Sequence, residues 1–298
     1  MTSAYSQQNK NFTRTWILIF LFVSIVSGFF YAFAIATRNP GIAYLGLFIS
    51  LGQSFVAYFW GGNMAIASAG GVEIGENENF ELRNIVENLA RTAGIPMPKL
   101  FISPDPSANA FACGRDPNNA NVCVNQGLLD ILNKNELEGV LAHELSHIKN
   151  RDILIMTVTM VLSSVISFLA DYSMRSVMWG GMGDSDDNDS KSPLVIVFYV
   201  AAIVLAPIIS LVIQMAVSRS REYLADATAV TLTRYPQGLI NALAKLHNSP
   251  VPTSNPSTAM SHFYIAQPKT NWGEKAISLF STHPSIESRI EALQAMEG

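Results

Sequence analysis

The sequence predicts an α+β fold that is mostly helical, is embedded in a membrane by about four transmembrane helices, and carries one small β-sheet. Three observations lead to this prediction. Only 14% of the 298 residues are charged, against ~25% in a typical soluble domain. Four long stretches of the chain carry no charge. The segments between them contain short strand patterns and amphipathic helical patterns.

The first two uncharged stretches, 16–37 and 41–60, are each about as long as the ~20 residues that cross a hydrocarbon core. A tight turn joins them, so residues 1–72 should form a transmembrane hairpin. A cleaved signal peptide is the alternative, because basic residues precede the apolar run and Ala34-Ile35-Ala36 resembles a cleavage site. The length of the first stretch favours a retained span. Glycine-rich residues 61–72 are interpreted as a flexible linker.

Residues 73–152 should form the first part of a soluble domain. Local patterns predict, in order, a helix, a strand and a β-hairpin: Asn77–Ala93, 99–103, and 107–113 paired with 121–125. Asn135 and Glu138 then resemble a capping box that starts a helix.

The other two uncharged stretches, 153–170 and 193–218, predict a second membrane hairpin within residues 153–218, around an acidic loop. A buried core hairpin is the alternative, and the lack of charge favours insertion. Residues 219–298 should complete the soluble domain with a charged helix, a long polar loop over 248–272 and a C-terminal helix.

Residues 143–147 read H-E-x-x-H on the predicted helix. Side chains four positions apart share a helical face, so His143 and His147 can hold one zinc ion with Glu144 beside its open side. A catalytic zinc needs three protein ligands and a free position for water. The alternative is a chance match on an ordinary solvated helix, which the predicted helix start makes less attractive.

Two common sources of a third ligand are missing. Asn150 and Ile153 stand where an extended motif would have glycine and a third histidine. A carboxylate about twenty residues on is also missing, because that point lies inside an uncharged stretch. The third ligand should therefore lie beyond the second hairpin.

Two spans return the chain to the side that it left, which brings the residues after the hairpin back beside His147. Glu222 is the first carboxylate there, and it is the candidate third ligand. Asp226, one helical turn further on, is suited to accept a hydrogen bond from a ligand imidazole. For Glu222, a surface salt bridge with Arg219 or Arg221 is the alternative.

The order of these motifs resembles the HtpX family of bacterial membrane zinc metalloproteases, which are relatives of the CAAX prenyl proteases. The resemblance covers nearly the whole chain. It is carried by the two apolar hairpins and by four motifs: Asn109-Ala110-Phe111-Ala112, His143-Glu144-Leu145-Ser146-His147, Ser218-Arg219 with Glu222 and Ala225-Asp226, and Thr282-His283-Pro284 with Arg289-Ile290.

The resemblance implies a gluzincin-like zincin fold, with one zinc ion per chain held by His143, His147 and Glu222 and with Glu144 as general base. It implies that the edge strand Asn109, Ala110, Phe111 and Ala112 binds the substrate backbone, and that His283 and Arg289 help to stabilise the transition state. A plain core hairpin is the alternative for the strand. A helix-start residue is the alternative for His283.

The function implied by the resemblance is cleavage of unfolded or damaged membrane proteins in stress-related quality control, with other membrane quality-control proteases as partners. A prenyl-protein protease is an alternative, although about four spans are too few for the large chamber of those relatives. A non-catalytic membrane scaffold or chaperone is another.

Net charge, cysteine content and the placement of basic residues bear on the binding partners, the state of the thiols and the membrane orientation. The net charge of −4 without a basic stripe gives no support to nucleic-acid binding. Two cysteines, Cys113 and Cys123, favour buried thiols over a disulfide. The resemblance implies a multi-pass protein of the bacterial inner membrane, and the positive-inside rule favours an active site in the cytoplasm. With four spans, six basic residues would lie on the side of the active site: Lys10, Arg14, Lys149, Arg151, Arg219 and Arg221. Three would lie on the opposite side: Arg38, Arg175 and Lys191.

Overall fold

A computed structural model describes residues 4–162, 164, 219–248 and 284–296. Before the first gap, the elements are α1 (Ala4–Thr37), α2 (Gly41–Ser68), β1 (Val72–Glu73), α3 (Phe80–Ala93), β2 (Lys99–Ser103), β3 (Ala110–Gly114), a 3-10 turn (Pro117–Asn119), β4 (Ala120–Asn125), α4 (Gln126–Ile131), α5 (Lys134–Lys149) and α6 (Ile153–Leu162). After it come α7 (Arg219–Thr233), α8 (Pro236–Asn248) and α9 (Ile286–Gln294).

Helices α1 and α2 form the N-terminal hairpin that the sequence predicts. The segments Asn11–Ile35 and Gly41–Ser68 are long and apolar enough to cross a membrane, and only 22% of the most apolar window of each is buried. Large apolar side chains such as Phe20 and Phe48 instead point outward. Exposed apolar faces of this size suit contact with lipid rather than with water. The two helices pack together through small residues: a Cβ atom on Gly46 would come 2.1 Å from Cβ of Phe30.

The flexible linker expected over 61–72 is wrong for most of its length, because α2 continues to Ser68. Two glycines of this segment instead allow neighbouring elements to pack closely against α2. A Cβ atom on Gly61 would come 2.8 Å from Cγ2 of Thr157 on α6, and one on Gly62 would come 3.2 Å from Cα of Gly114 on β3.

The four strands form one mixed sheet with the order β1-β2-β4-β3. Strands β3 and β4 are the predicted antiparallel hairpin, and β2 runs parallel to β4. Strand β3 is therefore at an edge of the sheet. Asn109 immediately precedes it, and its carbonyl oxygen accepts a hydrogen bond from Asn125 N–H.

The sheet lies between two apolar cores, because its side chains alternate between its faces. Ala110, Ala112 and Val122 pack into the core around α3, α5 and α8. Phe111 and Cys123 pack into the core formed with α1, α2 and α6. The sheet thus joins the membrane hairpin directly to the soluble part of the protein.

Both cysteines are free thiols buried in this second core, as the sequence predicts. Burial raises the pKa of Cys113, and it raises the pKa of Cys123 to about 12. Neither thiol is therefore a reactive nucleophile at neutral pH.

Helix α5 is the central helix, and nearly all of it is buried. Its capping box is formed by Asn133 and Glu136, so the predicted box at Asn135 and Glu138 is wrong by two residues. Glu136 N–H donates to Asn133 Oδ1 (3.1 Å), and Asn133 N–H donates to Glu136 Oε2 (2.9 Å). A Cβ atom on Gly139 would come 2.6 Å from the backbone nitrogen of Leu239, so α5 and α8 are in close contact there.

The second predicted hairpin is described only at its beginning. Its first run forms α6 from Ile153 to Leu162. The second run, 193–218, and the polar loop 248–272 lie outside the described residues apart from Asn248.

Candidate metal centre and active site

The two motif histidines lie side by side on α5. His143 and His147 are 2% and 3% exposed, and their rings cross at an interplanar angle of 88°. The Nε2 atoms are 3.3 Å apart. Two imidazole nitrogens at this separation can bind one metal ion.

Glu222 approaches the histidines from α7. Its Oε2 lies 3.6 Å from Nε2 of His143, and its Oε1 lies 3.9 Å from Nε2 of His147. The ligand atoms of these three residues all lie within 4.8 Å of one another, and they form the one such group within the described ranges. Because α7 begins immediately after the apolar run 193–218, the chain does return to His147 with a carboxylate.

This donor set fits tetrahedral zinc. Bonds of ~2.0–2.2 Å to a tetrahedral ion place two ligand atoms about 3.3 Å apart. The three observed separations, 3.3, 3.6 and 3.9 Å, are close to that value. Two imidazoles and one carboxylate also leave a fourth position open, as a catalytic site requires.

Both histidines contact a carboxylate through Nδ1. Asp226 on α7 places Oδ1 2.9 Å from Nδ1 of His143, and Asp152 places Oδ2 3.2 Å from Nδ1 of His147. A carboxylate at Nδ1 fixes the tautomer that keeps the Nε2 lone pair available for a metal. The sequence predicts Asp226 as the hydrogen-bond partner of a ligand histidine, but Asp152 was not predicted. The available signal was an acidic residue just past the end of α5, where the helix dipole favours basic residues.

Glu144 is buried beside the proposed metal position and faces the edge of the sheet. Its Oε2 accepts a 2.9 Å hydrogen bond from the N–H of Ala112 in β3. Burial raises the pKa of Glu144, and the nearby Glu222 adds to this, whereas His143 and His147 oppose it. A carboxylate with a raised pKa is suited to accept and return a proton near neutral pH.

The charges around His143 are strongly coupled. Burial and Arg289 lower the pKa of His143, but hydrogen bonds to Asp226 and Glu222 raise it, and the resulting pKa is about 9. A metal must displace this proton from the metal-free site, so metal uptake releases protons. Burial alone would raise the pKa of Asp226, yet Arg289 and His143 hold it below its usual value.

Arg289 on α9 lies behind the histidines and is 1% exposed. Its Nε and Nη2 donate to the two carboxylate oxygens of Asp226 at 2.9 and 2.7 Å. Its Nη1 lies 3.8 Å from Oε2 of Glu222. The guanidinium group therefore offsets the negative charge of Asp226 and Glu222 on α7, and its hydrogen bonds to Asp226 hold α9 against α7.

Replacing Arg289 by methionine should destabilise the protein. The substitution leaves Asp226 buried without its bidentate cation, which costs about 3–5 kcal/mol when one partner of a buried pair is removed. The midpoint of thermal unfolding of the metal-free protein in detergent is the measurement. Arg91→Met is the matched control, because Arg91 pairs with Glu87 at the surface and its loss should change stability by less than about 0.5 kcal/mol. Equal effects of the two substitutions would contradict the buried-pair interpretation.

The predicted substrate strand lies next to Glu144. Asn109 and Phe111 face β4 with their backbone groups, so those of Ala110 and Ala112 face the outer edge. All of β3 is nevertheless buried, and Glu144 occupies the Ala112 N–H. His283 lies outside the described residues. The helix that follows it begins with Ser285, whose side chain accepts a hydrogen bond from Ser288 N–H.

The helix with its H-E-x-x-H motif, the carboxylate from a second helix and the adjoining strand together define a metallopeptidase. This class needs a metal site with an open position and a carboxylate beside it, and the group of His143, His147 and Glu222 with the adjacent Glu144 fits that need. The chain belongs to peptidase family M48, whose family model matches residues 76–297.

Curated relatives match nearly the whole chain. The "Protease HtpX homolog" of Caldanaerobacter subterraneus subsp. tengcongensis is 40% identical over 296 residues, which cover 98% of this chain and 97% of the relative. The protein of the same name from Lactobacillus helveticus is 43% identical over 305 residues and is covered to 99%. The Tropheryma whipplei homologue is 41% identical, with 98% of each chain covered.

Among solved structures, the fold resembles S. mikatae Ste24p. The TM-score is 0.50 at 20% identity, and the match covers 93% of this chain and 62% of that structure. At this identity the similarity concerns the fold. The family match and the relatives make this protein a membrane metalloprotease, and its fold is mostly helical with one small mixed sheet.

Proposed function

We propose that the protein is a zinc-dependent endopeptidase of the bacterial inner membrane that cleaves unfolded or damaged membrane proteins. The observation that carries this proposal is the triangle formed by Nε2 of His143, Nε2 of His147 and the carboxylate of Glu222, with Glu144 beside it. The relatives named as proteases support the activity, and the HtpX name is consistent with a role in stress-related quality control. Other membrane quality-control proteases are its proposed partners.

Zinc, held by His143, His147 and Glu222, would supply Lewis acidity that lowers the pKa of a water molecule and polarises the scissile carbonyl group. Glu144 accepts the proton of the attacking water and passes it to the leaving amine. With Asp226 at Nδ1 of His143 and Asp152 at Nδ1 of His147, the Nε2 atom of each ring would be the one turned to the ion. The proposed helpers of the transition state are His283 and Arg289, and for Arg289 the buried pair with Asp226 supports a role in positioning that carboxylate.

Substrate binding is proposed at the outer edge of β3. An extended peptide added there would bind through its backbone, which suits broad specificity for unfolded segments. The backbone carbonyl groups of Ala110 and Ala112 face this edge, next to the Glu144 carboxylate. Phe111 points to the opposite face of the sheet and would support the strand from within the membrane-side core.

We further propose four transmembrane helices and a cytoplasmic active site. The two apolar helices α1 and α2 would be the first pair. Residues 153–218 would supply the second, returning α7 to the side of α5. The basic residues that flank the proposed spans support this orientation through the positive-inside rule.

Removal of the metal tests the function. The protein stripped with a chelator should lose all cleavage of casein, an unfolded protein, and one equivalent of zinc should restore it, because in the proposed mechanism the ion polarises the scissile carbonyl group and activates the water. Zinc content by mass spectrometry and cleavage by gel are the measurements. Cleavage that survives complete metal removal would contradict the assignment. A zinc-loaded protein that cleaves neither casein nor unfolded membrane proteins would favour a non-catalytic scaffold.

A further inference from the structure

Asp152 contacts His147 twice, because of the way in which α5 ends. Asn150 is the last residue of the helical turn, and Arg151 follows with a φ of 58°, in the left-handed region. Asp152 N–H then donates to the carbonyl of His147 (2.9 Å), and Arg151 N–H donates to that of Ile148 (3.1 Å). This pair of hydrogen bonds is a Schellman motif. The motif places the Asp152 side chain beside the imidazole ring of His147, the same residue whose carbonyl oxygen accepts the Asp152 N–H. Oδ2 of Asp152 lies 3.2 Å from Nδ1 of His147.

The second oxygen of Asp152 is held by the membrane hairpin. Asn11, at the start of the apolar segment of α1, donates from Nδ2 to Asp152 Oδ1. Asn11 is 2% exposed and Asp152 is 1% exposed, so this contact is fully buried. Thr15, one turn further along α1, donates to the Asn11 carbonyl at 2.9 Å. The polar chain therefore runs from the first membrane helix to the imidazole of His147.

A buried cation lies near Asp152. Arg221 on α7 is buried at 4% exposure, next to Glu222 in sequence. Burial lowers the pKa of Arg221, and the nearby Asp152 carboxylate opposes that shift. The two oxygens of the Asp152 carboxylate can accept hydrogen bonds from Asn11 and from His147 at the same time.

We propose that Asp152 and Asn11 are positioning residues for the metal centre and that the first membrane helix thereby becomes part of its support. Asp152 holds Nδ1–H of His147, so that Nε2 keeps its lone pair and its direction toward Glu222. Asn11 holds Asp152 in that orientation. The inference rests on the proposed zinc site and extends it to a residue pair 141 positions apart in sequence.

A purely structural role would predict something different. If Asp152 only ended α5, its loss would lower stability and leave the zinc affinity of the remaining folded protein unchanged. If it positions His147, its loss weakens zinc binding even where the metal-free fold is intact. Loss of such an outer carboxylate typically costs 10- to 100-fold in metal affinity or activity.

The first test measures the zinc dissociation constant of the full-length protein in detergent by competition with a chelator. Asp152→Ala should raise this constant about 10- to 100-fold, and Asn11→Ala should raise it by a smaller factor. Ser27→Ala is the control, because Ser27 makes a 3.0 Å contact with Ser50 within the same hairpin and lies far along α1 from the site. The metal-free unfolding midpoint, measured beside each constant, separates affinity from stability.

A double-mutant cycle tests the contact itself and remains informative if Asp152→Ala fails to fold. Asn11→Asp sets a second carboxylate against Asp152 and should weaken zinc binding at least tenfold, by analogy with other losses of outer-ligand support. When Asp152→Asn is combined with Asn11→Asp, the pair of facing carboxylates becomes one carboxylate and one amide. The amide nitrogen can donate to the introduced carboxylate, and the amide oxygen can accept from Nδ1–H of His147. The double variant should recover most of the lost affinity, which is a coupling between residues in contact.

Two results would overturn the inference while leaving the proposed function standing. One is an Asp152→Ala protein that binds zinc within twofold of the unaltered protein. The other is an Asn11→Asp defect that Asp152→Asn does not relieve. A full-length, unaltered protein that takes up no zinc would instead overturn the proposed function, and this inference with it.

Discussion

Replacement of Glu144 by glutamine should stop casein cleavage and leave zinc binding unchanged. Glutamine has the same shape and can still accept the hydrogen bond from Ala112 N–H through its amide oxygen. It cannot accept the proton of the attacking water at neutral pH. Loss of a general base typically costs about 10²- to 10⁴-fold in rate, and in the proposed mechanism the same group also returns the proton to the leaving amine. We therefore expect a loss at the upper end of that range.

The measurement for Glu144→Gln is cleavage rate at saturating zinc, with zinc content determined on the same sample. Glu138→Gln is the matched control, because Glu138 lies on the same helix and is only partly buried. The control should retain full activity. A Glu144→Gln protein that keeps more than a tenth of the rate would show that another group serves as the base.

Replacement of Glu222 by alanine should abolish cleavage for a different reason, the loss of zinc itself. The ion would keep two imidazole ligands, whereas catalytic zinc sites have three protein ligands. The neighbouring Arg289 guanidinium would also lose one of the two carboxylates that it faces, which leaves excess positive charge beside the ion. Both effects weaken binding in the same direction.

Zinc content after dialysis against a mild chelator is the measurement for Glu222→Ala, together with casein cleavage. Glu291→Ala on the exposed face of α9 is the control and should retain one zinc ion per chain. The two glutamate variants should give opposite patterns of zinc content, since Glu144→Gln keeps the metal and Glu222→Ala loses it. A Glu222→Ala protein with a full complement of zinc would remove Glu222 from the ligand set.

The parts of the fold that depend on local sequence could be predicted. The apolar hairpin of α1 and α2, the β3–β4 hairpin and the helix that carries His143 and His147 follow from residue periodicity and turn residues over short distances. The proximity of Glu222 to His143 and His147 was also predicted, on the expectation that residues 153–218 form a hairpin that returns the chain to its starting side.

The details that depend on tertiary contacts could not be predicted. Gly61 and Gly62 read as a flexible linker, yet they lie inside α2 where α6 and β3 come too close for a larger side chain. The capping box was placed two residues late, because Asn133 and Asn135 are equally good helix-start residues and the backbone decides between them. Asp152 was missed because its partners, His147 and Asn11, are brought together only by the folded chain.

The sheet has one face on the membrane hairpin and the other on α5, and this limits how the enzyme can be handled. A shortened, water-soluble protein without residues 1–72 would present Phe111, Cys113 and Cys123 to the solvent. An uncovered apolar face of this kind promotes aggregation, and the two thiols would become accessible to oxidants. Biochemical preparations should therefore keep the hairpin and a lipid-like environment around it.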